Sequence, residues 1–397
     1  MSNPPIQIIG AGVNGLTTGL ALQLLGYQTV CYTAHEPTLN AKESDPAFAS
    51  RFPAASMLPH SVFTERLETL FADSQAIFRK LLDEPEAGLH INRHYELFEF
   101  DVPEPQYAGL LDQYETLTKI APSDELPHRK GAQQLSGRTF ECLFADWPVY
   151  YPQLLKWYKE TGGSIEKRQL DTDDLREMPG EVVVNCSGQW APELVKDPVS
   201  TSLIIGVTLR MDVPRSKLPE KQITSYNYTP GKEHYTHSNG DPVDVYCYPR
   251  KNGWILGGTR LKGWFDQKGQ WMGETQKGPS QQIDGIEVPE PIIELNAQLI
   301  QQLYGFDIRD YPMRARFGYR FTRDSASNGL RLDTQEAAGK LFIHNYGHGG
   351  AGVSLSWGCA LDVIRMIRAQ SGLTEPNVEK PLSGSKKKLQ KALQQKV

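Results

Sequence analysis

Ile6 to Ile9 is a short, fully apolar run, the pattern of a strand buried on both faces. Gly10, Gly12 and Gly15 follow at once. Leu16, Leu20, Leu24 and Leu25 then recur at helical spacing, and Gly26 stands where a helix end favours a residue tolerant of positive φ. Thr29 to Tyr32 is a second β-rich run, and residues 40 to 60, broken by Pro and Ser, predict a loop. Val62, Phe63, Leu67, Leu70, Phe71, Ile77, Phe78, Leu81 and Leu82 predict an amphipathic helix. A further helix is predicted around Leu154 to Lys159, ended by Gly162 and Gly163, and a buried strand over 181–185. From 203 to 260 the pattern turns to β, at Leu203 to Leu209, Val243 to Tyr248 and Trp254 to Gly257. The polar, aromatic-rich stretch Ser225 to Asp241 predicts a mobile loop or lid. A glycine-rich turn at 346–352 opens a helix from about Val353 to Arg368, and Ser385 to Lys391 reads as a basic, solvated tail. Residues 95–150 mix aromatics, Pro and acids and give no clear order. The fold class this implies is α/β, without internal repeats.

Composition narrows the function. Forty-two Lys and Arg stand against 47 Asp and Glu, a net charge of −5 over 397 residues, so the basic stripe of a nucleic-acid binder is not expected. No apolar run approaches the roughly 20 residues that span a bilayer. The N-terminal MSNPPIQIIG lacks a basic region and an apolar core, so no secretory leader is expected. The five cysteines show no CxxC spacing and read as free thiols of a reducing compartment, with no metal site. The final Gln-Lys-Val is not a peroxisomal tripeptide, and a cytoplasmic location is expected.

Gly10-Ala-Gly-Val-Asn-Gly15, between a strand and a helix, is a dinucleotide fingerprint. Gly10 permits the tight turn, Gly12 spares the pyrophosphate a Cβ, and Gly15 lets the helix pack close. The helix N-terminus from Val13 offers free N–H groups and a partial positive charge to phosphates. The pattern does not separate FAD from NAD. The ribose-binding acid falls about 20 residues on, and Glu36 is the candidate, although Thr33-Ala34-His35 precede it beyond the strand end.

Three segments resemble the D-amino-acid oxidase family of FAD-dependent oxidoreductases. They are the fingerprint with its loop through Ala54-Ala55-Ser56-Met57-Leu58-Pro59-His60, the run Val182 to Asn185 with Cys186-Ser187-Gly188, and the run His344 to Ala360 containing Tyr-Gly-His-Gly-Gly-Ala-Gly. Gly318-Tyr-Arg320 and Tyr246-Cys-Tyr-Pro249 fall in the expected order. The resemblance implies a Rossmann-like FAD-binding domain interleaved with an α+β substrate domain on a large mixed or antiparallel sheet. The implied boundaries are 1–50, 140–195 and 325–375 for the FAD-binding domain, 51–139 and 196–324 for the substrate domain, and 376–397 for the basic tail. It implies oxidation of a D-amino acid to an imino acid, with O2 as acceptor and hydrogen peroxide as product, no membrane, and a homodimer as one assembly.

An α-carboxylate needs a fixed cation, and the planar fork of Arg320 can grip it bidentately. Tyr246 can donate to the same carboxylate, and the Gly350 carbonyl can accept from the amine. Hydride leaves Cα for the flavin, so the protein binds, orients and excludes water. Gly349, Gly352, Val353 and Ser354, at a helix start, would stabilise negative charge on the reduced ring. Ser56, Met57, Cys186, Ser187 and Gly188 complete the implied flavin contacts. Arg320 equally suits a buried ion pair, with Arg314, Arg316 and Arg323 nearby, and Tyr246 equally suits a core aromatic. His344 and His348 are read as loop or flavin partners, because hydride transfer needs no protein base.

Three positions depart from the family pattern. Ile205 stands where an arginine is expected, Ser56 where a glycine is expected, and the lid tyrosine is unassigned among Tyr226, Tyr228 and Tyr235. Leu256-Gly-Gly-Thr-Arg260-Leu-Lys-Gly263 resembles the D-aspartate oxidase branch, as does His60. Two such groups facing a side-chain pocket favour acidic D-amino acids, since leaving them unpaired costs binding energy. The alternative pairs Arg260 with Asp266 or a carbonyl, which favours neutral substrates. Other readings are a flavin amino-acid dehydrogenase with a non-oxygen acceptor, a non-enzymatic FAD-binding protein and an NAD-linked dehydrogenase.

Overall fold

The computed structural model describes residues 4–39, 45–213, 223–250, 253–327, 329–373, 376 and 382–397. Part of the expected 40–60 loop and part of the expected tail thus lie outside the described residues. The chain divides into two compact units. One comprises residues 1–89, 147–202 and 320–397, and the other 90–146 and 203–319.

The first unit is built on a sheet that has six strands among the described residues. Their order is 331–337, 340–346, 182–185, 6–9, 29–33 and 164–167. Strand Ile6–Ile9 lies between Thr29–Thr33 and Val182–Asn185 and is parallel to both, so its four residues are buried on both faces. Helix Val13–Leu24 packs on Ser356–Gln370 and Trp147–Glu160. Tyr158 of Trp147–Glu160 also accepts a hydrogen bond from Thr29 Oγ1 at 3.0 Å. Helix Leu67–Lys80 begins later than the apolar run suggests, because Val62 and Phe63 belong to the loop before it.

Residues 51–89 were expected with the substrate domain and fall in the first unit. The reason is packing: Leu70, Phe71 and Phe78 are buried, and Leu67–Lys80 lies against Ser356–Gln370. The solvated tail is likewise a helix, Gly384–Gln394. Its Leu389, Ala392 and Leu393, at helical spacing, are buried against the helices Val13–Leu24 and Leu67–Lys80. Its lysines reach acids, Lys386 to Glu160 and Lys388 to Glu84.

The second unit carries most of a large mixed sheet with the path 271–273, 261–265, 201–211, 254–257, 245–248, 224–229, 89–98, 135–145 and 112–120, and strand 313–323 also pairs with 201–211. The expected lid is in part a strand of this sheet. Thr224–Thr229 runs parallel to 93–98 and antiparallel to 245–247. Tyr226 and Tyr228 point to one face, where the helix Glu290–Tyr304 contributes Asn296. No helix among the described residues is long and apolar enough to cross a membrane.

Candidate active site

The fingerprint sits where its sequence places it. Gly10 closes strand Ile6–Ile9 at φ +101°, and helix Val13–Leu24 starts at Gly12 without a side-chain cap. A Cβ on Gly15 would stand 1.8 Å from the Gly10 carbonyl oxygen, so turn and helix can meet only through glycine. Ser50, which the sequence reading missed, accepts the Val13 N–H at 2.9 Å. Glu36 lies past the end of strand Thr29–Thr33 and is exposed, its carboxylate 3.9 Å from Lys167 Nζ.

The loop of Ser56, Met57 and His60 is held by the rest of the first unit. Ala55 and Ser61 take positive φ. The Met57 carbonyl accepts from Gln75 Nε2 at 3.2 Å. The second glycine turn presses on this loop: a Cβ on Gly349 would lie 2.1 Å from the Ser61 carbonyl oxygen, and the Gly350 N–H donates to that oxygen at 3.3 Å. Close backbone approach between two loops therefore requires this glycine. Ser354 is buried, and its hydroxyl donates to the Leu58 and Ala351 carbonyls. Gly352 and Val353 precede the helix Ser356–Gln370, whose start has no side-chain cap.

The two turns are tied together. Asn14 Nδ2 lies 3.5 Å from His348 Nδ1, and His348 Nε2 lies 2.9 Å from Asn345 Oδ1. Burial pushes His348 down to about 3, so the ring is neutral. Donation from Nε2 to Asn345 leaves Nδ1 to accept from Asn14. His344 is also pushed down to about 3, by burial first and then by the Arg331 charge, and pairs with Gln335. Neither histidine is poised as a base. Strand Val182–Asn185 ends at Cys186, whose N–H donates to the Ile9 carbonyl at 2.8 Å and whose buried thiol is pushed up to about 12. The Ser187 hydroxyl donates to Asn185 Oδ1 at 2.5 Å. Gly188, at φ +65°, faces open space.

Arg320 lies at the start of the first unit's last segment. Its Nη1 is buried and has no hydrogen-bond partner among the described residues. The neighbouring arginines differ: Arg323 pairs with Asp197 at 2.8 Å and Arg314 with Asp284 at 3.0 Å.

Tyr246 and Arg260 belong to the second unit. Tyr246 is buried on strand Val245–Tyr248, its ring over Gly257 and stacked on Tyr248 at 4.6 Å. Arg260 is ion-paired with Asp244, donating through Nη2 at 3.1 Å. The three lid candidates are core residues. Tyr226 donates to Asn296, Tyr228 to Glu99 and Tyr235 to the Gly258 carbonyl.

A family model described as FAD dependent oxidoreductase matches residues 6–366. The chain belongs to that family. Among curated relatives, it is 29% identical over 366 residues to a D-amino-acid oxidase of Rubrobacter xylanophilus, covering 91% of this chain and 95% of that one. It is 27% identical over 386 residues to a D-aspartate oxidase of Homo sapiens, covering 92% and 95%. Among solved structures, glycine oxidase from Geobacillus kaustophilus superposes with a TM-score of 0.64 at 18% identity, covering 97% of this chain and all of that one, a likeness of fold.

The cofactor of this family is FAD, and the first unit fits it. Three buried polar atoms around the loops, Asn14 Oδ1, Asn185 Nδ2 and Gln189 Oε1, have no partner among the described residues. The helix start at Gly12, with no acid in its first turn, suits a pyrophosphate, and the open space at Gly188 leaves room beside the strand end. Ser50, Asn14 and Asp244 escaped the sequence reading. Asn14 lay inside the fingerprint at a variable position, and nothing local marked the other two.

Proposed function

We propose that the protein catalyses oxidative deamination of D-amino acids, in which a D-amino acid, O2 and water give a 2-oxo acid, ammonia and hydrogen peroxide. Arg320 carries this reading. A guanidinium with a buried, unpartnered Nη1 is a ready receptor for a carboxylate, because binding removes an unsatisfied donor as well as neutralising charge. The relatives named D-amino-acid oxidase and D-aspartate oxidase support the handedness.

When bound, FAD supplies the hydride acceptor and the route to oxygen. Within the first unit, Arg320 is assigned to the α-carboxylate and the Gly350 carbonyl to the amine. With both ends of the amino acid held, only one hand directs its Cα hydrogen toward the acceptor. The neutral, hydrogen-bonded His344 and His348 take no proton, which suits a hydride transfer. Two substrate classes follow for the side chain. The positions of Arg260 and His60 in the resemblance favour acidic side chains, and the pairing of Arg260 with Asp244 favours uncharged ones.

Anaerobic mixing of the purified holoprotein with a panel of D- and L-amino acids, followed by flavin absorbance, tests the reading. Bleaching by D-amino acids alone is expected, with peroxide on admission of air. Bleaching by L-amino acids, or by none, would overturn it. Bleaching without peroxide would make the protein a dehydrogenase.

A further inference from the structure

Arg260 is not a free cation. Its guanidinium pairs with Asp244, and Asp244, itself buried, also accepts from Asn227 Nδ2. Asn227 Oδ1 in turn accepts the Tyr248 hydroxyl at 2.7 Å, and the Tyr248 ring stacks on Tyr246. A continuous chain of contacts within the second unit therefore runs from Arg260 through Asp244, Asn227 and Tyr248 to Tyr246.

We propose that Asp244 sets the side-chain preference by holding Arg260 in an ion pair, so that the enzyme takes D-amino acids with uncharged side chains and refuses a second carboxylate. The inference rests on the D-amino-acid oxidase reading and on Arg260 as its side-chain residue. To serve a second carboxylate, Arg260 must leave Asp244, stranding a buried anion, or must bring a new anion beside it. Both are unfavourable, the first through lost pairing and desolvation and the second through like-charge repulsion. An uncharged side chain asks neither. Removing the charge at 244 alone changes the balance: an amide no longer neutralises the guanidinium, and Arg260 becomes available to an anionic ligand.

The test compares the parent with Asp244→Asn, Asp244→Glu and the double variant Asp244→Asn/Arg260→Met. Two quantities are read, the ratio of kcat/KM for D-aspartate to that for D-alanine within each variant, and the Kd of malonate from its perturbation of the flavin spectrum. A general loss of activity cancels in the ratio, and malonate binding needs no turnover. The parent is expected to prefer D-alanine. Asp244→Asn should raise the ratio on the order of tenfold to a hundredfold and tighten malonate. Asp244→Glu, which keeps the charge, should stay near the parent, and the double variant should lose the gain. A parent that prefers D-aspartate, an unchanged ratio and malonate affinity in Asp244→Asn, or a gain that survives removal of Arg260 would each overturn the role of Asp244. A parent bleached by no D-amino acid would instead overturn the oxidase reading itself.

Discussion

A buried guanidinium nitrogen without an acceptor is costly until an anion arrives, and that asymmetry supports the assignment of Arg320 to a carboxylate. Arg323 and Arg314 have already found Asp197 and Asp284. Arg320→Lys keeps the charge and loses the fork, so a carboxylate held at two points is held at one. The variant should show a higher KM and a lower kcat together, with kcat/KM down on the order of tenfold to a hundredfold. Steady-state peroxide assays check this, and the flavin absorbance of the purified variant should match the parent's. Unchanged kinetics would return Arg320 to a structural role. In the sequence, four arginines within ten residues look alike, and only the resemblance singled one out. What separates them is partner geometry set by distant segments, which no local pattern carries. Arg260 shows the same limit, because its charge was legible and the acid 16 residues earlier that neutralises it was not.

Elements were legible where periodicity and turn chemistry agree. The strand, glycine turn and helix of 6–24 form as the pattern dictates, since Gly10 and Gly15 each meet a backbone approach that a side chain would block. Agreement failed at Thr224–Thr229, where Ser225 and Asn227 made a strand look like a loop. Both are buried, because Ser225 Oγ pairs with His94 and Asn227 is bonded on both sides of its amide. Strand Asp112–Ile120 was missed for the opposite reason, since as a largely exposed edge it carries few apolar positions. The glycines of the cofactor loops yield a paired prediction. Gly15→Ala drives its Cβ into the Gly10 carbonyl and should destabilise the turn and abolish FAD retention on gel filtration. Gly188→Ala meets no neighbour and should cost about 1–2 kcal/mol through its positive φ, seen as a small fall in Tm. Equal losses from the two would mean that close packing at the first turn is not what holds the cofactor.

For the molecule as a whole, the buried histidines decide how it responds to acid. His344 and His348 of the first unit are held near 3, well below the ordinary value of about 6.5, chiefly by burial. His237 of the second unit is lowered in the same way. Between these limits His344 and His348 bind no proton in the fold but bind one each on unfolding. Stability is therefore complete above about pH 6.5 and falls as the pH drops toward 3, by about 1.4 kcal/mol per pH unit for each fully unprotonated histidine. Carboxylates add to this only later. Burial would raise Asp197, but hydrogen bonds from Tyr346 and Arg323 hold it below its ordinary 3.8, so its contribution is lost below that point. Burial would raise Glu99, but hydrogen bonds from Arg129 and Tyr228 hold it below its ordinary 4.5, so its contribution begins to be lost as the pH nears 5. The window from about pH 6.5 to pH 5.5 thus isolates the histidines. Urea unfolding across that window should show ΔG falling steadily with acid. His348→Gln, which can keep a donor to Asn345 and does not titrate, should reduce the slope by about one proton. A slope identical to the parent's would mean that His348 is charged in the fold, and a charged ring could not accept from Asn14. The tie between the two glycine turns would then have to be drawn differently.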